Sequence, residues 1–428
     1  MNQMSWPPQV PPPMPVPPPM PVAFSGSRGE FFHLVKRGAA LELVTLGFYR
    51  FWLLTDIRRH LWSNTLVDGD AAEYTGRGKE LLIGFLVALA ILVPIYLGYF
   101  LIGLEAERFQ AFASIPLIAF FYMFGQFAIY RARRYRLSRT VYRGVRFYQT
   151  GSAWAYALYA VMWWVVIALT VGLAYPWAQM NLERFKMRRT YYGDLPGYFE
   201  GSALALFLRG LPLWLLVIGP LLGGIAAAAH AIDWPALAEA VNEGGSGLGA
   251  RVEATNPGFG RAIIFFFGAA VWSALAAAVF YPAFQAMMLR WWSAGLRFGD
   301  VTVTSRLRTG QIYRAYFRFL LYGILFAVGF TFVGAAATGS WDLLKDKFST
   351  AEEEEELIIA GAVVVGYMIV ALGYSTIYQA TVKLALWRLG MEAAEISGIA
   401  SLDRVKAAGR PTSALGEGLA DALQVGGI

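Results

Sequence analysis

Long apolar runs alternate along the chain with stretches rich in arginine and aromatic residues. Six of these runs hold about 20 or more mostly apolar residues, which is the length that an α-helix needs to cross the hydrocarbon core of a bilayer. The pattern therefore predicts membrane-spanning helices rather than a large water-soluble core. The predicted spans are 81–104, 111–130, 202–229, 262–289, 315–338 and 357–382.

The charges between the runs predict how the spans are paired. The connection inside each pair is acidic, whereas the stretches 131–146, 184–189 and 290–314 concentrate arginine and lysine. Because basic loops stay on the cytoplasmic side, each pair of spans is predicted to leave the cytoplasm and return to it. The predicted helical pairs are 79–130, 202–289 and 311–387.

Two further apolar segments, 26–52 and 151–177, leave the number of spans open. If 151–177 crosses once, the basic cluster that follows it falls on the wrong side of the membrane. We favour six spans, with both segments re-entrant or lying in the interface, and the charges of Lys36 and Glu42 support this because charge is costly at mid-bilayer. The alternative is eight spans with one misplaced basic loop.

A Gly-Asp dipeptide recurs within the basic stretches. Five residues of 175–194 recur 106 positions later, and five residues of 26–52 recur 125 positions later. Each Gly-Asp dipeptide lies between β-prone residues, and glycine with aspartate favours tight turns. Short cytoplasmic β-hairpins are therefore predicted as repeated joints between helices. Their turn residues are Gly69, Asp70, Gly193, Asp194, Gly299 and Asp300.

Together these patterns predict an all-α polytopic membrane protein with three transmembrane helical pairs, two re-entrant or interfacial helical segments and repeated short β-hairpins. The chain begins with a Pro-rich stretch that is typical of disorder or polyproline II structure. The predicted divisions are a disordered tail at 1–23, membrane repeat units at 24–151 and 152–310, a third helical pair at 311–390 and a polar cytoplasmic tail at 391–428.

Composition narrows the class of protein and its partners. Only 15% of the residues are charged, against about 25% in soluble proteins. The absence of cysteine excludes disulfides and thiolate metal sites. The net charge of +7, with arginines at membrane boundaries, favours anionic lipid headgroups over nucleic acid as the partner. The candidate lipid contacts are Arg131, Arg133, Arg134, Arg136, Arg184, Arg188 and Arg189.

A few polar residues fall within or beside the predicted spans. Glu42 and Arg50 are eight positions apart, so on one helix they would share a face about two turns apart. They would then line a polar cavity or proton path, or both would extend to water from the interface. Four glutamines near helix ends would bridge helices or line a pore. They are Gln126, Gln179, Gln285 and Gln379.

No pattern of catalytic or metal-binding residues is present in the sequence. The GRGK stretch at 76–79 lacks the earlier glycine of a phosphate-binding loop, and Glu80 stands where Ser or Thr would bind Mg²⁺. The histidines His33, His60 and His230 are far apart along the chain and form no HExxH motif. We therefore predict no enzymatic activity, no metal and no cofactor.

Three stretches resemble the YjgN-like family of bacterial inner-membrane proteins, which have a domain of unknown function. They are TLGFYRFW at 45–52, LVDG at 66–69 and YTGRGKELLIGF at 74–85. The resemblance extends over most of the chain after the Pro-rich tail and is looser in the second half. It implies a multi-pass protein of the bacterial cytoplasmic membrane and brings no established substrate or catalytic residues.

Two functions from different classes fit these observations. Repeated helical pairs with intramembrane polar groups favour a channel or transporter. The alternative is a structural or scaffold membrane protein, assembled as an oligomer, that organises lipid or partner proteins through its hairpins and Pro-rich tail.

Overall fold

The computed structural model describes residues 19–105, 110–243, 248–344, 352–423 and 425. Most of these residues are helical. The helices are α1 (Arg28–Val44), α2 (Arg50–Ser63), α3 (Gly78–Glu105), α4 (Gln110–Ser138), α5 (Ala153–Leu169), α6 (Tyr175–Met187), α7 (Ala203–Ala231), α8 (Trp234–Glu243), α9 (Leu248–Thr255), α10 (Phe259–Gly295), α11 (Thr309–Leu344), α12 (Glu352–Tyr378), a π-helical turn (Gln379–Lys383), α13 (Leu384–Glu392), a 3-10 helix (Ile399–Arg404) and α14 (Leu415–Ala422).

Short strands lie between the helices, mostly directly after a helix ends. They are β1 (Met20–Pro21), β2 (Ala23–Phe24), β3 (Thr65–Val67), β4 (Asp70–Ala71), β5 (Glu73–Tyr74), β6 (Thr140–Tyr142), β7 (Val145–Gln149), β8 (Thr190–Tyr192), β9 (Leu195–Phe199), β10 (Leu296–Phe298), β11 (Val301–Ser305) and β12 (Ala394–Ser397).

The strands form two antiparallel sheets that continue into each other. One has nine strands in the order β1-β12-β11-β10-β9-β8-β7-β6-β5, and the other has the order β2-β3-β4. Val22 alone links β1 to β2, and Ala72 alone links β4 to β5. Hydrogen bonds and these two covalent links therefore trace a closed circuit of strands. The all-α expectation is corrected: the hairpins join into one extensive β-structure, because a lone hairpin leaves its edges unpaired.

Two hairpin turns lie where the Gly-Asp dipeptides predict them. Gly193 and Asp194 connect β8 to β9, and Gly299 and Asp300 connect β10 to β11. The φ angles of Gly193 and Gly299 are 55° and 56°, in the left-handed region that glycine adopts without steric cost. Because the positive φ angle is required at a single residue, these turns can be predicted from the local sequence.

The other two hairpin turns differ in register or composition. Asp68 and Gly69 form the turn between β3 and β4, and Asp70 begins β4, so this predicted turn is displaced by one residue. Arg143 and Gly144 form the turn between β6 and β7. In both turns two successive residues have positive φ (52° and 82°, 46° and 73°), as a type I′ turn requires.

Helices α2, α4 and α6 lead into the β-structure through the same kind of junction. A threonine begins the strand after each of them: Thr65, Thr140 and Thr190. Each threonine hydroxyl donates a hydrogen bond to the carbonyl oxygen four residues earlier, at 2.7, 2.9 and 2.9 Å. The bond satisfies a carbonyl that the helix end leaves without a partner, and it holds the strand in one direction relative to its helix.

Two pairs of consecutive helices, α1–α2 and α5–α6, reverse the chain through matching turns. Leu46 and Gly47 have φ angles of 50° and 90°, and Val171 and Gly172 have the same values. In each pair the glycine N–H donates to the carbonyl oxygen five residues earlier, at 2.7 and 2.8 Å. Two left-handed residues in succession end the first helix and turn the chain back.

The two members of each pair then pack antiparallel. The rings of Phe31 in α1 and His60 in α2 have centroids 5.5 Å apart, and those of Tyr156 in α5 and Phe185 in α6 are 5.6 Å apart. These positions correspond at the shift of 125 residues. Each of the two ambiguous segments is therefore half of a helical hairpin and not one straight helix.

Among the described residues, five helices are long and apolar enough to cross a membrane. They expose large apolar side chains, such as Ile264 at 69% and Phe332 at 73%, which a water-soluble surface would not carry in such numbers. The sixth predicted span, 111–130, belongs to α4. The five helices are Gly78–Phe100, Ala203–Ala231, Phe259–Gly295, Thr309–Ser340 and Glu356–Glu392.

Both ends of the chain enter the fold further than expected. Met20–Pro21, in the predicted disordered tail, forms β1 and pairs with β12, while residues 1–18 lie outside the described residues. The predicted polar tail at 391–428 contains β12, the 3-10 helix and α14. Leu419 and Ala420 of α14 are buried against α3 and α4, because the tail carries apolar residues at helical spacing.

Candidate functional site

Five helix ends lie side by side where α2, α4, α6, α10 and α13 enter the β-structure. Trp62 of α2 donates from Nε1 to Thr140 Oγ1, and Trp387 of α13 donates to Thr65 Oγ1, both at 3.0 Å. The rings of Trp62 and Trp387 stack with centroids 4.5 Å apart. Two of the threonines that close helix ends therefore also accept a tryptophan N–H from the neighbouring helix.

Similar contacts continue around the remaining helix ends. Arg133 of α4 donates to Met187 Sδ of α6 at 3.2 Å, and Trp292 of α10 donates to Glu183 Oε2 of α6 at 3.3 Å. Leu289 of α10 and Leu389 of α13 pack in one hydrophobic cluster. The helix ends thus form a ring in the order α2, α4, α6, α10, α13, which is the order of their strands.

Arg58 of α2 is buried inside this ring, with 1% of its surface exposed. It donates to the Tyr74 hydroxyl at 3.1 Å and forms an ion pair with Glu417 of α14. Arg136 of α4 lies 3.7 Å from the other Glu417 oxygen. Burial disfavours the charged guanidinium, but Glu417 and Tyr74 raise the pKa of Arg58 above its ordinary value. The Arg58 guanidinium is therefore charged.

Glu183 of α6 occupies the position that corresponds to Arg58 at the shift of 125. It is buried, its Oε1 lies 2.5 Å from Lys186 Nζ, and it also accepts the Trp292 N–H. Burial alone would raise its pKa, but Lys186 and Arg133 hold the pKa of the Glu183 carboxyl below its ordinary value. A second buried ion pair therefore lies within the ring.

Helix α4 joins the two ion pairs because Arg133 and Arg136 lie about one turn apart. Arg136 interacts electrostatically with Arg58 and with Lys186, and Lys383, at the end of the π-helical turn, interacts with Arg58. Single π-helical turns are frequent at functional sites. We call this group the central charged cluster: Arg58, Arg133, Arg136, Glu183, Lys186, Lys383 and Glu417.

The central charged cluster has five cationic and two anionic side chains. Removing an ion from water is costly unless an opposite charge compensates it. The arrangement is therefore suited chemically to hold one more anion, with arginine guanidinium groups that can donate two parallel hydrogen bonds to a carboxylate or phosphate.

Glu42 and Arg50 do not share a helix face, contrary to the expectation. Glu42 belongs to α1 and Arg50 begins α2, on the two sides of the turn at Leu46 and Gly47. Arg50 forms an ion pair with Asp421 of α14. Glu42 lies within electrostatic range of both Arg50 and Asp421. The turn therefore places Glu42 and Arg50 near each other although they belong to different helices.

The four glutamines are distributed over different helices and are not brought together. Gln285 of α10 donates to Tyr281 at 3.1 Å and accepts from Tyr316 of α11 at 2.8 Å, which bridges two helices. Gln379 donates to Ser375 within its own helical segment at 3.1 Å. Gln126 and Gln179 are half-buried on α4 and α6.

Most of the arginines expected at lipid headgroups make contacts inside the protein. Arg133 and Arg136 belong to the central charged cluster, and Arg131 lies against Gly416 of α14. Arg134 donates to the Gly151 carbonyl, and Arg189 donates to the Phe185 carbonyl at 3.1 Å. Arg184 is half-buried and Arg188 is exposed. Five of the seven arginines therefore contact other residues of the protein.

A polar cleft of about 790 Å³ lies between α1 and α2. It places His33 and His60 in one cleft although they are distant in sequence, while His230 lies on α7. Within the described part of the chain, no group of three or more His, Asp or Glu residues could hold a metal ion. The ionisable residues that line the cleft are Glu30, His33, Arg37, Asp56, Arg59 and His60.

An apolar cavity of about 360 Å³ lies against the α5–α6 turn, between α7 and α10. Trp214 of α7 donates from Nε1 to the Val171 carbonyl of this turn at 2.9 Å. Tyr175 and Tyr281, which correspond at the shift of 106, both line the cavity. The two helical hairpins thus present opposite chemistry, a polar cleft in the first and an apolar cavity at the tip of the second.

Sequence reasoning missed five members of the central charged cluster: Arg58, Glu183, Lys186, Lys383 and Glu417. A signal for Arg58 and Glu183 existed, because the alignment at a shift of 125 pairs opposite charges at positions 58 and 183. Glu417 lies in LGEGLADAL, at 415–423, whose leucines recur four residues apart. Nothing in the sequence indicates that Glu417 and Arg58 meet.

A ring of helix ends above a closed circuit of strands, with long apolar helices exposed around it, defines a helical membrane protein with a β-structure at one end. The chain belongs to a family of bacterial proteins of unknown function (DUF898), whose match covers residues 19–422. The resemblance to YjgN-like proteins is confirmed in this sense. The comparisons with curated proteins and with solved structures returned no match.

Proposed function

We propose that the protein is a multi-pass inner-membrane channel or transporter for small anions. The observation that carries the proposal is the central charged cluster, in which five cationic side chains accompany two buried carboxylates inside a ring of helix ends. Buried charge in a membrane protein typically marks an ion or substrate pathway, and a purely structural contact gains nothing from an uncompensated cation.

The proposed topology has six spans and places the β-structure in the cytoplasm. The helical hairpins α1–α2 and α5–α6 are re-entrant, so each returns to the side from which it starts. The basic stretch 184–189 then stays cytoplasmic with the other basic stretches, as the positive-inside rule requires. We further propose that the matched turns and joints are copies of one ancestral unit.

The polar cleft is the proposed entrance for the anion. Helix α2 presents Arg59 and His60 to the cleft and Arg58 to the central charged cluster on its other face. One helix therefore separates the cleft from the cluster. The mixed charges of the cleft keep it hydrated, and the cluster supplies the selectivity for anions.

Uptake by proteoliposomes tests the proposal. We expect the purified protein to carry radiolabelled chloride or phosphate and not potassium, and Arg136→Gln to reduce anion uptake about tenfold or more. The control is Arg188→Gln, an exposed arginine on the same cytoplasmic side. Uptake equal to that of empty liposomes for both anions would contradict the proposed function, provided that the protein elutes as one species in size-exclusion chromatography.

A scaffold function is the second candidate, favoured by the position of β1. Its pairing with β12 attaches Met20 and Pro21 to the β-structure, and the Pro-rich segment that precedes them in the sequence would then recruit a partner. Removing residues 2–18 should then abolish co-purification of a partner or alter the oligomeric state measured by light scattering. An unchanged state and an unchanged set of bound proteins would count against this function.

A further inference from the structure

Helix α14 lies in a groove between α3 and α4. Gly418 packs against the backbone of Gly84 in α3, and Gly416 packs against the backbone of Arg131 in α4. A Cβ atom added to either glycine would overlap these backbone atoms, so glycine is required for the close approach. Leu419 is buried with residues of both helices in one hydrophobic cluster.

Glu417 projects from α14 into the central charged cluster. Its carboxylate pairs with Arg58 and lies 3.7 Å from Arg136. One turn later, Asp421 pairs with Arg50 at the start of α2. Both pairs join the end of the chain to α2, more than 350 positions away in sequence. The carboxylates of α14 thus occupy a cationic site in the manner of a bound anion.

We propose that α14 is a displaceable occupant of a phosphate-binding site, in which Glu417 holds the place of the ligand. The site consists of Arg58, Arg136 and the Tyr74 hydroxyl. The inference rests on the proposed function, because it assigns the ligand class and the gate of the same cluster. A phosphate group has several acceptor oxygens and, as a monoester, a charge of about −1.5 to −2, which offsets the excess of cations better than one carboxylate does.

The attachment of α14 makes displacement feasible. Residues 405–414, before α14, are without helix or strand. Lys406 and Asp194 are joined by two hydrogen bonds at 2.9 and 3.1 Å, and the Thr412 N–H donates to Ser138 Oγ at 3.3 Å. A helix of eight residues is marginal on its own. Its docking therefore depends on the groove and on the ion pairs that a phosphate would take over.

Disulfide trapping tests the displacement. Because the chain has no native cysteine, only the introduced cysteines can form a disulfide. A Cβ atom at Gly125 of α4 would lie 3.8 Å from a γ-carbon of Val425, so Gly125→Cys with Val425→Cys should cross-link when α14 is docked. The full chain is reconstituted in phosphatidylcholine and oxidised with copper phenanthroline. The control pair is Gly38→Cys with Leu53→Cys, which reports on the α1–α2 hairpin.

Two probes distinguish the source of the phosphate. Inorganic phosphate is added to one sample, and phosphatidic acid, whose headgroup is a phosphate monoester, replaces part of the lipid in another. We expect one of them to slow cross-linking of the α4–α14 pair about threefold or more, with no change in the control pair. Chloride at the same ionic strength should not reproduce the effect.

Two variants assign the effect to the site. Glu417→Gln should slow cross-linking without any added phosphate, because α14 loses its ion pair. Arg136→Gln should remove the response to phosphate. Cross-linking that is insensitive to both probes would overturn the inference, and so would a rate that Glu417→Gln leaves unchanged. Displacement without anion uptake would overturn only the proposed transport, and uptake without displacement would overturn only the role of α14.

Discussion

The helical hairpins α1–α2 and α5–α6 share a backbone but differ in chemistry. Both turn through two left-handed residues with φ angles of 50° and 90°. In both, a threonine hydroxyl at the end of the first helix (Thr45 and Thr170) donates to the carbonyl oxygen four residues earlier and accepts an N–H four residues later. In both, Ser27 or Ser152 caps the first helix.

The side chains on this common backbone are almost opposite in character. Helix α1 carries six charged or histidine side chains, whereas α5 carries none. The first hairpin forms a polar cleft of about 790 Å³ with its own two helices, and the second forms an apolar cavity of about 360 Å³ with α7 and α10. At the matched buried position the first has Arg58 and the second Glu183.

This difference shows that a few positions determine the hairpin while the remaining faces are free to vary. The turn glycine, the threonine, the capping serine and one ring contact recur, and each has a local or nearest-neighbour role. The polar and apolar faces then direct one hairpin to an aqueous cleft and the other to apolar surroundings. Three predictions test how far the two hairpins differ.

The largest effect is expected from the matched buried charges. Arg58→Leu leaves Glu417 buried with only Arg136 near it, and removing one partner of a buried ion pair destabilises by about 3–5 kcal/mol. Glu183→Leu should act similarly, because Lys186 and Arg133 lose their carboxylate. The measurement is the free energy of unfolding in detergent by chemical denaturation. Arg188→Leu, at an exposed site, should stay within about 0.5 kcal/mol of the native chain; a loss that small for Arg58→Leu would contradict the prediction.

The turns should respond less strongly and unequally. Gly47→Ala and Gly172→Ala each force a residue with a Cβ atom to φ near 90°, which costs about 1–3 kcal/mol. The Gly172 variant should lose more, since its Cβ atom would meet Trp214 Nε1 at 3.3 Å whereas Gly47 faces open space. Thermal unfolding measures the difference. Gly29→Ala, inside α1 and without close neighbours, is the control and should not destabilise. Equal losses at the two turns would show that Trp214 adapts.

The smallest effect concerns the two faces themselves. Arg37 and Met162 occupy matched positions and are both exposed. Cysteine at position 37 should react with a water-soluble maleimide about ten times faster than cysteine at position 162, because only the thiolate reacts and apolar surroundings disfavour it. Inverted membrane vesicles expose the cytoplasmic side for this measurement. Equal rates would mean that both hairpins face water, and the proposed re-entrant position of α5–α6 would fail.

The local elements of the fold were predictable from the sequence, and their assembly was not. Apolar runs indicate the long helices, and Gly193 with Asp194 indicates a turn whichever strands it joins. The displacement of the first turn by one residue arose because Asp68 and Gly69 form a better type I′ pair than Gly69 and Asp70. The joining of all hairpins into one circuit depends on pairings between distant strands, such as β1 with β12, which no local pattern contains.

The candidate site was harder to predict for the same reason. Arg133 and Arg136 were recognised as cations but expected at lipid headgroups, since the sequence does not say which arginines face the ring of helix ends. Glu42 and Arg50 were expected to share one helix face, but the turn places them on different helices and Asp421 forms the ion pair with Arg50. In both cases the sequence shows the charges, and the structure shows which residues lie beside them.

Hydropathy along the sequence is sufficient to recognise a membrane protein and most of its long helices, and the Gly-Asp dipeptides at 193–194 and 299–300 are sufficient to locate two hairpin turns. Hydropathy over some 20 residues and positive φ at a glycine are properties of short stretches, so they can be recognised without the rest of the chain. The tertiary structure was needed to show that the hairpins close a circuit, that Arg58 meets Glu417 and that α14 fills the groove between α3 and α4. These contacts join residues hundreds of positions apart, and their energy depends on which side chains the whole fold removes from water.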